Sequence, residues 1–301
     1  MSTRHPRVVV PLDGSTHGEQ ALPWAVAVAG PQGHVQLVHA VHDADPAFFS
    51  TEAGDQLAKQ SAQYLEQLAG RLGPGVGSTA IGVARGRPGP TVVDLARDAG
   101  ADLIVLTSHG RGPLSRFWLG STADYVMRRS AAPVLVIRPE EVVAGKAVLP
   151  HAAMILLDGS AEAERALRAT DLLRLPHSTS LVLVRVLGTP YIPVPPVTFG
   201  AAPMAPDPTL VEREHRAAED YLAAVADGLA RRGYQNVIPK VLSSAAVGAA
   251  AVDLARELAI PLIVLSSHGR GGVGRLLMGS VADKVVRAGG PFVLVFARQD
   301  D

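Results

Sequence analysis

The chain alternates short, unbroken aliphatic runs with longer stretches in which apolar residues recur every three or four positions. The runs at 7–12, 34–41, 78–84, 102–107 and 133–137 are rich in Val, Ile and Leu and carry little polar alternation. That is the pattern of parallel strands covered on both faces. The amphipathic stretches at 16–30, 51–72, 89–99 and 121–130 read as the helices between them. Helix and strand alternating through five strands predicts a doubly wound, Rossmann-like α/β sheet with right-handed crossovers.

The same order returns in the second half, with strands expected at 153–157, 180–186, 236–243, 261–266 and 291–296. The repetition is one of sequence as well as pattern. VVDLARDAGADLIVLTSHGRG at 92–112 aligns without gaps on AVDLARELAIPLIVLSSHGRG at 251–271, and 12 of the 22 positions in 107–128 are identical to those in 266–287. VVVPLDGS (8–15) is answered by MILLDGS (154–160), and PVLVIR (133–138) by PFVLVFAR (291–298). The chain is therefore one unit written twice: two tandem five-stranded parallel-sheet domains, 1–140 and 150–301, joined near EEVVAGKAVLP (140–150). The departure is GTPYIPVPPVTFGAAPMAPDP (188–208), where seven prolines exclude regular structure. It reads as an inserted loop or lid, or as a plain surface insertion. The last strand of each copy, VLVI (134–137) and VLVF (293–296), would be a bare sheet edge, and such edges are usually paired or covered.

Composition narrows the classes. With 301 residues the chain is long enough for two domains, and 48% hydrophobic against 19% charged residues is ordinary for a compact soluble protein. The formal net charge is zero, so no electrostatic footprint for nucleic acid or an anionic membrane exists. There is no cysteine, which excludes disulfides, thiol catalysis and cysteine-held metal, and suits a reducing cytosol. The N-terminus MSTRHPRVVVPLDGS lacks the apolar core of a signal peptide, and no apolar run reaches membrane-spanning length. A cytoplasmic protein is expected, with neither nucleic acid nor membrane among its partners.

The chemistry concentrates in the duplicated glycine strings TSHGRGPLSRFWLGS (107–121) and SSHGRGGVGRLLMGS (266–280). Each lies between a buried strand and a helix opening at Gly-Ser. Ligands of such sheets bind outside the carboxyl ends of the strands. Glycine lets backbone approach a ligand closely, and a helix N-terminus offers free N–H groups and partial positive charge. Ser121 and Ser280 are placed to cap these helices, and Arg111, Arg116, Arg270 and Arg275 supply nearby charge. Together these parts describe an anion site, most simply for a phosphate chain. The competing reading is a glycine-rich connection with a serine cap, worth ~1 kcal/mol without any ligand. GRGGVG (269–274) fits a dinucleotide fingerprint but follows the fourth strand rather than the first, and Ser115 replaces its last glycine in the first copy. No P-loop string occurs. His109 and His268 lie within the strings without a metal-ligand motif and read as loop-stabilising hydrogen-bond partners. Asp124 and Asp283, one turn into the last helices, suit either Mg²⁺ or the helix dipole. No catalytic residue or general base for water is assigned, so fast hydrolysis is not expected.

The string S-H-G, nine residues, G-S, paired with a first strand ending P-L-D-G-S, resembles the universal stress protein family, and the resemblance covers both halves, as in the tandem actinobacterial type. Its ATP-binding branch carries G-x-x-G, nine residues, G-[ST]. Gly110, Gly120 and Ser121 match, with Thr122 following; so do Gly269, Gly279 and Ser280, with Val281 following. Thr107 and Ser266 stand where that branch has its first glycine. The resemblance implies a ribose-binding aspartate at Asp13 and Asp158, a base-pocket proline at Pro11 (Leu156 in the second copy), and adenine contacts through the backbone of Ala40 and Val186. It implies ATP as ligand, with Mg²⁺ as a companion ion. It also implies pairing of the last strands into an intrachain pseudo-dimer, further association of chains into a homodimer, and regulatory protein partners. Three functions stay open: a nucleotide-binding regulatory protein, which leads; a scaffold with vestigial pockets; and a slow ATPase or self-phosphorylating enzyme.

Overall fold

The computed structural model describes residues 5–42, 51–108, 119–138, 149–188, 208–267, 278–288 and 292–297. In the first half the chain runs β1 (Arg7–Pro11), α1 (Thr16–Glu19), α2 (Leu22–Ala29), β2 (His34–Val41), α3 (Thr51–Leu72), β3 (Ser78–Arg85), α4 (Pro88–Asp98), β4 (Leu103–Thr107), α5 (Ser121–Arg129) and β5 (Val134–Ile137). The second half runs β6 (Ala152–Leu156), α6 (Ala161–Glu164), α7 (Ala169–Leu172), β7 (Ser180–Leu187), α8 (Pro208–Arg231), β8 (Asn236–Ser243), α9 (Val247–Glu257), β9 (Leu262–Ser266), α10 (Ser280–Ala288) and β10 (Phe292–Phe296). The expected helix over 16–30 is two pieces. Pro23 falls in the first turn of α2, where its missing N–H is harmless but cannot continue a helix from before it. Most of the proline-rich 188–208 segment lies outside the described residues; Pro208 itself opens α8.

The strands form one ten-stranded sheet in the order β3-β2-β1-β4-β5-β10-β9-β6-β7-β8. Each half is parallel throughout. Among the described residues the halves join by one antiparallel pair, β5 with β10, in the register Phe292↔Ile137, Val293↔Val136, Leu294↔Leu135 and Val295↔Val134. The two edges that would have been bare thus cover each other, and the tandem domains make a pseudo-dimer within one chain.

Alternation along the seam sends side chains into two apolar layers. Leu135, Ile137, Phe292 and Leu294 enter the layer under α2, α3 and α8, with Trp24, Leu65 and Leu222. Val134, Val136, Val293 and Val295 enter the layer under α4, α5, α9 and α10, with Val92, Val126, Val252 and Val285. Both layers continue across the seam without a break. Trp24 of the first half packs on Phe292 of the second, ring centroids 4.3 Å apart. The buried Arg138 donates to the Val286 carbonyl of α10.

Candidate functional site at the carboxyl edge of the first half

Strand order reverses between β1 and β4, and a doubly wound sheet opens its ligand crevice at that point. A cleft of about 760 Å³ lies there. The turn after β1 brings Pro11 and Asp13 to it, the end of β2 brings Ala40, the end of β4 brings Thr107, and the start of α5 brings Gly120, Ser121 and Thr122. These seven are all the first-half nucleotide-contact residues expected from the sequence that fall within the described residues. Gly110, Arg111, Arg116 and His109 lie outside them, as do Gly269, Arg270, Arg275 and His268.

Asp13 is held by an Asx turn. Its Oδ1 accepts from the Ser15 amide at 2.9 Å and from the Ser15 hydroxyl at 2.6 Å. Ser15 Oγ then accepts from the Gly18 amide at 3.1 Å and caps α1. The second half repeats the device: Asp158 Oδ1 accepts from Ser160 N and Oγ at 2.9 and 2.6 Å, and Ser160 caps α6 through Ala163 N at 3.2 Å. The helix start is thus capped by the serine, and the aspartate fixes the serine.

Ser121 was expected to cap α5, and the structure corrects this. Gly120 is the cap residue, and no side chain bonds the first-turn amides. Gly120 N donates to the Ser108 carbonyl at 2.8 Å, and its carbonyl accepts from Asp124 N at 2.9 Å. Gly279 repeats both bonds, to Ser267 O and from Asp283 N, each at 2.9 Å, and Ser280 is already the first residue of α10. A serine inside the first turn has helical backbone angles and cannot fold its hydroxyl onto the amides two and three residues on, as a cap does. A Cβ on Gly279 would lie 3.3 Å from the Ser267 carbonyl, so this tight approach to the strand end favours glycine. The first turn of α5 therefore faces the cleft through Ser121, Thr122 and Ala123 with amides that no side chain caps. An uncapped helix start of this kind can seat an anion.

Asp124 and Asp283 are engaged elsewhere. Arg128 forks onto Asp124 at 2.8 and 3.0 Å and reaches Asp283 at 3.2 Å across the seam. Arg287 forks onto Asp283 at 2.9 and 3.1 Å and lies 3.6 Å from Asp124. The Arg287 hydrogen bond, foremost, holds the Asp283 carboxyl below its ordinary range. These four residues tie α5 to α10, a structural role that neither the Mg²⁺ nor the dipole reading anticipated. Among the described residues no group of three His, Asp or Glu is placed to hold a metal.

The cleft has a wall that sequence reasoning missed. Leu57, Gln60, Ser61 and Tyr64 of α3, with His39 and His42 at the end of β2, close its outer side. Tyr64 donates to Glu19 Oε1 at 3.0 Å. The second half has its own version of this contact, in which Tyr221 donates to Glu164 Oε1 at 3.1 Å.

A doubly wound α/β sheet, repeated in one chain, defines a tandem doubly wound protein, with an open cleft at the switch point of its first half. Residues 5–138 and 151–295 match the profile of the Universal stress protein family, and the chain belongs to that family. It is 28% identical over 315 residues to a universal stress protein of Mycobacterium tuberculosis, covering 97% of each chain. It is 28% identical over 306 residues to one of Mycolicibacterium smegmatis, covering 96% of each. A universal stress protein from Archaeoglobus fulgidus shares the fold with a TM-score of 0.70 at 19% identity, over 99% of this chain and 98% of that one. Among the described residues no helix is long and apolar enough to cross a membrane.

Proposed function

We propose that the chain binds an adenine nucleotide in the first-half cleft and acts as a nucleotide-responsive regulatory protein. The observation that carries the reading is convergence. Residues chosen from three separate stretches of sequence line one crevice, beside a helix start that no side chain caps. Asp13 is pre-set to accept ribose hydroxyls, because its Asx turn fixes the carboxylate before any ligand arrives. Pro11, Ala40, Val41 and Leu57 offer an apolar slot to a base, and the first turn of α5 offers amides to phosphate. The similarity of the glycine strings to those of ATP-binding family members supports the same assignment. On this reading occupancy shifts the population of conformers by its differential affinity and so changes what the protein binds. It would act in the cytoplasm, with further copies of the chain and regulatory proteins as partners.

The test is to purify the protein without added nucleotide, heat-denature it, and analyse the supernatant by ion-pair chromatography with mass detection. Adenine nucleotide is expected in the supernatant, or heat on titrating ATP with Mg²⁺ if the site empties during purification. An empty supernatant together with no titration heat would leave the scaffold reading in its place.

A further inference from the structure

We propose that the chain holds one nucleotide, in the first half, and that the second half fills the equivalent space with its own side chains. The inference rests on the nucleotide reading above but not on its details. Equivalent strands superimpose the positions: β6 follows β1, β7 follows β2, and α10 follows α5. Pro11, Ala40 and Thr122 line the first cleft. Leu156, Val186 and Val281 stand at their places, and all three, partly buried like their first-half counterparts, pack against the apolar layer under α9 and α10. Ala40 to Val186 adds two carbons at the position where a base would pass closest to β2. Thr122 to Val281 removes a hydroxyl from the helix start.

The wall loses polar groups and gains a longer side chain. Ser61, a cleft residue, is matched by Ala218, which is fully buried. His39, also in the cleft, is matched by Arg185, whose guanidinium lies over the Tyr221 ring, 5.6 Å from its centroid. A long side chain thus sits on the ring of Tyr221, the residue that matches Tyr64 of the first cleft. Burial, then the Glu164 carboxylate, raises the Tyr221 pKa, so the hydroxyl stays a proton donor to Glu164.

The duplicated Asp-Gly-Ser does not require a second ligand. Asp158 and Ser160 start α6 by the same bonds that Asp13 and Ser15 use for α1. The turn serves the fold in both halves, so its presence after β6 does not by itself call for a ligand.

Two measurements test this. The first is calorimetric titration of ATP with Mg²⁺ into the full chain and into Asp13→Ala and Asp158→Ala. One equivalent is expected for the parent. Asp13→Ala is expected to weaken binding about tenfold or more, as loss of charge-assisted hydrogen bonds does, with Asp158→Ala unchanged. Two equivalents, or loss in Asp158→Ala with Asp13→Ala unaffected, would overturn the inference and leave the nucleotide reading standing. No binding by the parent would overturn the nucleotide reading instead. The second needs no ligand. Val186→Ala is expected to lower Tm by several degrees, because it removes packed carbons, whereas Ala40→Val is expected to leave Tm nearly unchanged. A Tm for Val186→Ala equal to the parent's would show that the second cleft is not filled, whatever the first experiment gave.

Discussion

Ser15 joins two functions at one residue. It accepts the Gly18 amide to start α1, and it gives its own amide and hydroxyl to Asp13. Ser15→Ala removes the cap and is expected to cost about 1 kcal/mol, read as a lower urea midpoint at unchanged slope. A larger loss would mean that the hydroxyl's bond to Asp13 Oδ1 adds to the worth of the cap. His34 is a second single-residue lever. Its Nδ1 lies 2.9 Å from Ser78 Oγ, and burial first, then the neighbouring Arg7, holds its pKa below the ordinary 6.5. The folded protein binds this proton less readily than the unfolded chain does. The contribution of His34 to stability is therefore complete above 6.5 and is lost as pH falls from there toward the folded value. His34→Asn is expected to lose less stability than the parent between about pH 7.5 and about pH 5.5, measured as urea midpoints at both. Equal losses would place the pH dependence on other groups.

At the scale of elements, the helices and strands were legible because their periods are clean: VVV, LIVL and VLVI have no polar alternation, and they became central strands buried on both faces. Boundaries were less so. Ser121 looked like a cap because Gly-Ser gives two candidates and only backbone angles decide between them. The α3 wall of the cleft was invisible because Gln60, Ser61 and Tyr64 follow an ordinary amphipathic pattern, and facing the strand ends is a matter of helix placement. The cross-seam network had a trace in sequence, since Asp and Arg recur four apart in both copies, at Asp124 and Arg128 and at Asp283 and Arg287. The local pairs could be read from that spacing; the reach of Arg128 to Asp283 could not, because it depends on β5 meeting β10 antiparallel. Half-exposed pairs of this kind are worth little singly, so a double-mutant cycle on Arg128→Ala and Asp283→Ala is expected to give a coupling of about 0.5–1 kcal/mol, weakened by salt. Because its arginines hold Asp283 below 3.8, its contribution is present above that pH and is lost as pH falls through the folded value. A coupling of zero would reduce the network to two independent helix pairs.

For the whole molecule the question is whether two copies of a domain behave as two bodies or one. The apolar layers answer through their continuity: residues of β5 and β10 enter each layer from both halves, and Phe292 of the second half is packed on Trp24 of the first. A half exposed alone would leave both layers open along the length of the seam. The energetic gap between unfolding one half and unfolding both is thereby narrowed, which favours a single transition. Both tryptophans, Trp24 and Trp118, belong to the first half, so their fluorescence follows that half while far-UV circular dichroism follows all of the secondary structure. Phe292→Ala, a change in the second half, is expected to destabilise by about 3–5 kcal/mol. It is expected to shift the fluorescence and dichroism transitions together, to one common lower midpoint. If fluorescence kept the parent midpoint while dichroism split into two steps, the first half would stand without the second, and the pseudo-dimer would be two domains in contact rather than one cooperative unit.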